Sequence, residues 1–283
     1  MIINSVIHAF TRVWKEKKAW FLVFSIQFVW AYMLVYPLKK GFRETWSQSL
    51  IGRDLFSGAG DNMIIEFLTH HKDIVSTQTS LVLIGLLLYG LMTIFINGGI
   101  VSLFTREERF KGPDFFQACT TYFFKFIRLF LVFLLFAAAA FILFLMLVGV
   151  LKSLSGDSEP ATVILSLVSL LVLSMLFFLI HMTYIYAKVI TVRHDKRAMF
   201  RTAIQAWRFV LARFRKAAAV YGLILACCLL IFLIYSLITS LIPVGSGLLI
   251  LLLFIWQQVL VAARSYIRLM LIAAEADFYR TTL

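Results

Sequence analysis

Apolar positions gather into six long runs, at about residues 19–38, 81–104, 127–151, 161–189, 217–241 and 248–264, with polar segments between them. Each run reaches the length, at least roughly 17 residues, that carries an α-helix across a bilayer. None shows the strict alternation of a half-buried strand. The pattern predicts an all-α membrane protein with six transmembrane helices, residues 1–283 forming a single polytopic membrane domain. The first run is longer than a signal-peptide core and lacks a small-x-small cleavage site at its end, so it reads as an uncleaved span.

Three shorter stretches carry a different period. Phe200, Ala203, Ile204, Trp207, Val210, Leu211 and Phe214 recur at spacings of three and four, with Arg197, Arg201, Gln205, Arg208 and Arg215 off that stripe. Ile3, Val6, Ile7, Phe10, Val13 and Trp14 make a similar stripe ahead of the first run, and Phe115, Phe116, Cys119, Tyr122, Phe123 and Phe126 another ahead of the third. Aligning Ala9-Phe10-x-x-Val13 with Ala206-Trp207-x-x-Val210 brings Ile3 onto Phe200 and Ile7 onto Ile204. The expected architecture is therefore three repeats, each a cytoplasmic amphipathic helix followed by a two-span hairpin.

Charge sets the direction of this arrangement. The chain carries 27 Lys and Arg against 14 Asp and Glu, a net charge of +13, with 62% hydrophobic residues and a mean hydropathy of +0.94. In a water-soluble protein such a charge suggests nucleic acid. Here the positive-inside bias accounts for it, and no nucleic-acid partner is expected. Nine basic residues lie in the stretch 188–216, four precede the first span, and five surround the connection between spans two and three. The bias places both termini in the cytoplasm of a cytoplasmic (inner) membrane, with residues 39–80 as an extracytoplasmic loop.

A helix with aromatic and aliphatic residues on one side and arginines beside them is suited to a lipid interface. Arg197, Arg201, Arg208, Arg213, Arg215 and Lys216 are the candidate lipid-headgroup residues. The plainer alternative is a linker helix packed on its own bundle with solvated arginines. Polar positions inside the spans are few. Asn97, Gly98 and Gly99 in span two, with Gln257 and Gln258 in span six, form a possible polar site. The same glycines serve equally as points of close helix approach. Glu66, His70 and Asp73 share one side of a possible loop helix, but three scattered ligands without a known motif fit a solvated face better than a metal site. His181 reads as a packing residue, and Cys119, Cys227 and Cys228 imply no disulfide framework.

No H-E-x-x-H, G-x-S-x-G, phosphate-cradling loop or C-x-x-C is present, and the predicted span interiors hold no Asp or Glu. Catalysis and ion-coupled transport need ionisable groups at depth. No enzymatic activity, cofactor or metal is therefore expected. The segments F-I-N-G-G-I at 95–100 and Y-F-F-K-F-I-R-L at 122–129 are carried by a chain that resembles a group of six-span bacterial inner-membrane proteins. That group includes the membrane domain fused to some glycerophosphodiester phosphodiesterases. The resemblance implies the six-span fold; with no phosphodiesterase catalytic segment here, it transfers no functional residue. The expected role is structural or accessory, in envelope or lipid homeostasis, with anionic membrane lipids as partners. The alternative is a transporter or channel for a lipid or small amphiphile.

Overall fold

A computed structural model describes residues 2–46, 72–107, 109–155, 159–242 and 247–282. Among these residues there are eight helices and no strand. They are α1 (Ile2–Lys15), α2 (Lys17–Trp46), α3 (Lys72–Arg106), α4 (Gly112–Ser155), α5 (Glu159–Arg193), α6 (Met199–Ala212), α7 (Phe214–Leu241) and α8 (Gly247–Thr282). Six of them, α2 to α5 with α7 and α8, are long and apolar enough to cross a membrane. Leu135, Leu171 and Leu248 are each about 70% exposed on these helices. A contiguous apolar surface of that extent needs lipid rather than water around it. The chain is a multi-pass integral membrane protein.

Local sequence explains where the helices begin and end. Pro113 occupies the first turn of α4, where its missing N–H removes no intrahelical bond. Asp114 adds a negative charge at that positive helix end. No proline follows until residue 160, and α4 runs unbroken for 44 residues. At the other end of the neighbouring helix, Asp195 takes a left-handed φ of 44°. The N–H of Lys196 then donates to the Thr191 carbonyl at 3.3 Å, which stops α5 with a Schellman-type turn. Lys125 of α4 meets the Asp195 carboxylate at 2.5 Å and fixes that turn.

Two compact units emerge. The first comprises residues 1–16, 94–227 and 267–283. In it α4 packs along α5, and α6 lies against both. Tyr122, Phe126 and Leu129 of α4 and Tyr186 of α5 are fully buried, and Tyr186, Phe209, Phe278 and Tyr279 form an aromatic cluster with centroid separations of 4.8–6.4 Å. The second unit comprises residues 17–93 and 228–266. Trp20 of α2 shares its indole N–H between the Ala262 carbonyl, at 3.1 Å, and the Ser265 hydroxyl, at 3.0 Å. Tyr235 of α7 stacks on Trp256 of α8 with 6.1 Å between centroids.

The hairpin repeat is realised unevenly. α1 and α6 are separate 14-residue helices. Residues 115–126 are not: they form the opening turns of α4, continuous with the third span. With no proline or glycine between 114 and 148, nothing in the sequence breaks that helix. Likewise residues 266–280 extend span six as one helix, α8. The region read as a loop from 39 is helical up to Trp46. Glu66 and His70 of the possible metal group lie outside the described residues.

Candidate functional site

Around the axis of α6 the side chains divide into three sectors. Met199, Thr202, Ala203, Ala206, Phe209 and Val210 are buried against the protein. Next to them Phe200, Ile204 and Leu211 are exposed and Trp207 is half-buried. Beyond these stand Arg201 and Arg208, both exposed, and Arg197, also exposed, lies just before the helix. The apolar stripe expected from the sequence is thus two faces: Ala203 and Val210 serve the core, while Phe200, Ile204 and Leu211 point away from it. Arg215 and Lys216, after the break between α6 and α7, are exposed as well. Arg197, Arg201, Arg208, Arg215 and Lys216 form no ion pair among the described residues.

Arg213 differs from its neighbours. Its guanidinium donates to the Thr282 carbonyl at 3.2 Å and lies 5.0 Å from the Phe209 ring centroid. Those bonds commit it to holding the end of α8. Its backbone N–H also caps α6, reaching the Phe209 and Val210 carbonyls. The five other candidate basic residues remain outward.

α1 shows the same three sectors in the same rotational order. Ser5, Ala9 and Val13 are buried, Ile7, Phe10 and Trp14 are more than half exposed, and Thr11 and Lys15 follow. At aligned positions Ser5 matches Thr202, Ala9 matches Ala206 and Val13 matches Val210, each buried in both helices. α1 is anchored by charge. Arg12 donates to the Leu103 carbonyl at 3.2 Å and to Glu107 at 3.4 Å, and lies 5.6 Å from the Phe104 ring. Burial works against the Arg12 charge and lowers its proton affinity, while Glu107 counters that. Glu107 also pairs with Arg280, and the Glu16 carboxylate accepts the Phe110 N–H at 3.0 Å.

The residues of the second predicted site fall in different units. Asn97, Gly98 and Gly99 belong to the first unit, Gln257 and Gln258 to the second. Gln257 is exposed on α8 and Gln258 half-buried. α3 passes through Gly98 and Gly99 without a break. A Cβ on Gly98 would stand 3.0 Å from Cys119 Cα, and one on Gly99 2.6 Å from the Phe115 ring. The glycines are where α3 meets α4. Asn97 is buried, and its Oδ1 accepts from Arg268 at 2.7 Å. His181 is a hydrogen-bonded packing residue as expected, its Nδ1 2.6 Å from the Tyr221 hydroxyl.

Comparison of the chain with family models, curated proteins and solved structures finds no match.

Sequence reading passed over one group. Glu275 is fully buried on α8, and Lys188 on α5 is 5% exposed. The basic stretch 188–216 hid Lys188 among other basic residues, and Glu275 fell beyond the last predicted span. One signal was available: A-A-E-A-D-F is an apolar helix surface interrupted by acids, and Lys188 lies within an apolar run, Ala187 to Val192.

Proposed function

We propose that this is a non-enzymatic protein of the cytoplasmic membrane whose α6 holds anionic lipid, with a structural or accessory role in envelope or lipid homeostasis. The observation that carries this reading is the sector order of α6. Exposed Phe200, Ile204 and Leu211 stand directly beside exposed Arg201 and Arg208, with exposed Arg197 just before the helix, and these arginines form no ion pair among the described residues, although Arg197 lies within range of the Asp195 charge. Apolar side chains that enter the acyl boundary beside cations at headgroup height match an anionic leaflet. α1 supplies a second face of the same kind. Both termini and residues 190–216 are cytoplasmic in this reading, because that assignment keeps most of the basic residues inside. Membrane lipids are the proposed partners, and no nucleic acid is invoked. The transporter alternative has less support: Asn97 is already bonded to Arg268, and α4 fills the space beside Gly98 and Gly99.

The test uses the full-length protein extracted with its surrounding lipid and quantifies phosphatidylglycerol per chain. Arg201→Glu with Arg208→Glu should deplete it while the helical content stays unchanged, since both side chains are exposed. Equal phosphatidylglycerol in the double variant and the parent protein would overturn the reading.

A further inference from the structure

A separate group of charges is enclosed in the first unit. Both carboxylate oxygens of Glu275 are buried and have no hydrogen-bond partner. Lys188 places its ammonium 4.1 Å from the Tyr184 ring centroid. Lys188 and Glu275 are near enough for their charges to interact, yet they form no ion pair among the described residues. The Tyr186 hydroxyl lies within range of the Glu275 charge and is buried without a partner.

The surrounding groups come from four helices. α5 contributes His181, Tyr184, Tyr186 and Lys188, and α7 contributes Tyr221, whose hydroxyl is engaged by His181. On α8 itself Arg268 stands two turns before Glu275 and donates to Asn97 of α3. Asp277 faces another way, toward His8 at 3.5 Å and Arg280 at 3.0 Å.

An ionised carboxylate enclosed with no donor on either oxygen is strongly disfavoured. Two events relieve it: a proton on the carboxyl, or an ammonium brought against it. Lys188 has the flexible four-carbon stem for the second, and a tyrosine ring is a resting place for its charge meanwhile. A metal cation fits less well, because Lys188 already places a positive charge within range of the carboxyl.

We propose that Glu275 and Lys188 form a proton-linked switch: while Glu275 carries a proton Lys188 rests on Tyr184, and when that proton leaves Lys188 moves onto the carboxylate. The step breaks one O–H bond of the Glu275 carboxyl and passes the proton to solvent water. Lys188 keeps its own proton, and no electron moves.

The experiment is infrared difference spectroscopy on the full-length protein in lipid nanodiscs, between acid and alkaline buffer, with carbon-13 glutamate to separate Glu275 from Asp277. The expected result is a protonated-glutamate carbonyl band that disappears reversibly on alkalinisation and is absent in Glu275→Gln. In Lys188→Met the band should persist to more alkaline pH, because the ionised carboxylate has lost its counter-charge. No labelled band in the parent protein would overturn the proposal without any variant having to fold. So would a band whose pH dependence is the same in Lys188→Met, or one that sodium at constant pH removes as well as alkali does. Glutamine matches the protonated acid in shape and charge, so Glu275→Gln should retain the fold.

Discussion

Adding a single methyl group at the α3–α4 crossing tests the packing of the first unit. In Gly98→Ala the new Cβ lies 3.0 Å from Cys119 Cα, 3.1 Å from the Ala118 oxygen and 3.2 Å from the Cys119 oxygen. All three are backbone atoms of α4, so no side chain can turn aside; the helix must retreat by about 0.5 Å to restore ordinary contact. In Gly99→Ala the Cβ meets the Phe115 ring at 2.6 and 2.7 Å and Cys119 Sγ at 2.8 Å. Overpacking of this order costs about 1–3 kcal/mol. Alanine in place of a mid-helix glycine returns about 1 kcal/mol through propensity. The net expectation is a loss of up to about 2 kcal/mol for each of Gly98→Ala and Gly99→Ala. Gly90, on the same helix, has nothing within 4 Å of its Cβ position, so Gly90→Ala should gain up to about 1 kcal/mol. Thermal unfolding of the solubilised protein, followed by tryptophan fluorescence, separates the three. If Gly99→Ala unfolds at or above the temperature of Gly90→Ala, the glycines are not a packing contact and the crossing described here is wrong.

Further expectations concern topology, the α1 anchor and the α5 turn. In a cysteine-free background an impermeant thiol reagent on intact cells should label Ser57→Cys and spare Ala198→Cys; labelling of Ala198→Cys refutes a cytoplasmic α6. Arg12→Ala removes the bonds to Leu103 and Glu107, a loss of about 1.5–3 kcal/mol for hydrogen bonds to a charged group, and should raise protease sensitivity around residues 10–20. Equal cleavage rates would show that α1 is held by its apolar faces alone. Lys125 holds the Asp195 carboxyl below its ordinary range, chiefly through their hydrogen bond. With a depressed folded value, the stabilisation is complete above the unfolded value of about 4 and is lost as pH falls through the folded one. Asp195→Asn keeps a residue that tolerates φ of 44° and removes only the charge. It should therefore cost less than about 1 kcal/mol at neutral pH and flatten the acid limb of the stability profile. An acid limb unchanged by Asp195→Asn assigns it to other carboxyls.

The six spans were legible because membrane spans announce themselves by length and apolarity alone, without tertiary information. α6 was legible for a similar reason: its period is local. What failed was the division of its apolar stripe. Hydropathy treats Val210 and Leu211 alike, yet one is sealed in protein and the other is exposed, and only the neighbouring helices decide which. The same limit explains Glu275. Whether a carboxylate after a span is solvated or enclosed depends on α5 and α7 folding over it, and no window on α8 contains that fact. Arg213 was grouped with five outward basic residues because it looks the same in sequence, although its partner, the Thr282 carbonyl, is brought in from the end of the chain. The third amphipathic stripe was real as a pattern, with Phe115, Cys119, Tyr122 and Phe126 all buried, but a stripe does not reveal whether its helix stops before the span or runs on.

That continuity gives α4 the mechanics of a lever. At 1.5 Å per residue its 44 residues make a rod about 66 Å long, more than twice the roughly 30 Å hydrocarbon core of a bilayer. The rod has no proline or glycine hinge from Asp114 to Val148, so a sideways push on one end cannot be absorbed midway. Near its start it is gripped by the α3 glycines, and a few turns on by the Lys125 contact with Asp195. These grips act as a fulcrum. A tilt of a few degrees there, on the order of one ångström at the glycine contact, sweeps the far end through several ångströms. A small change in how α3 and α4 meet is thereby magnified along α4.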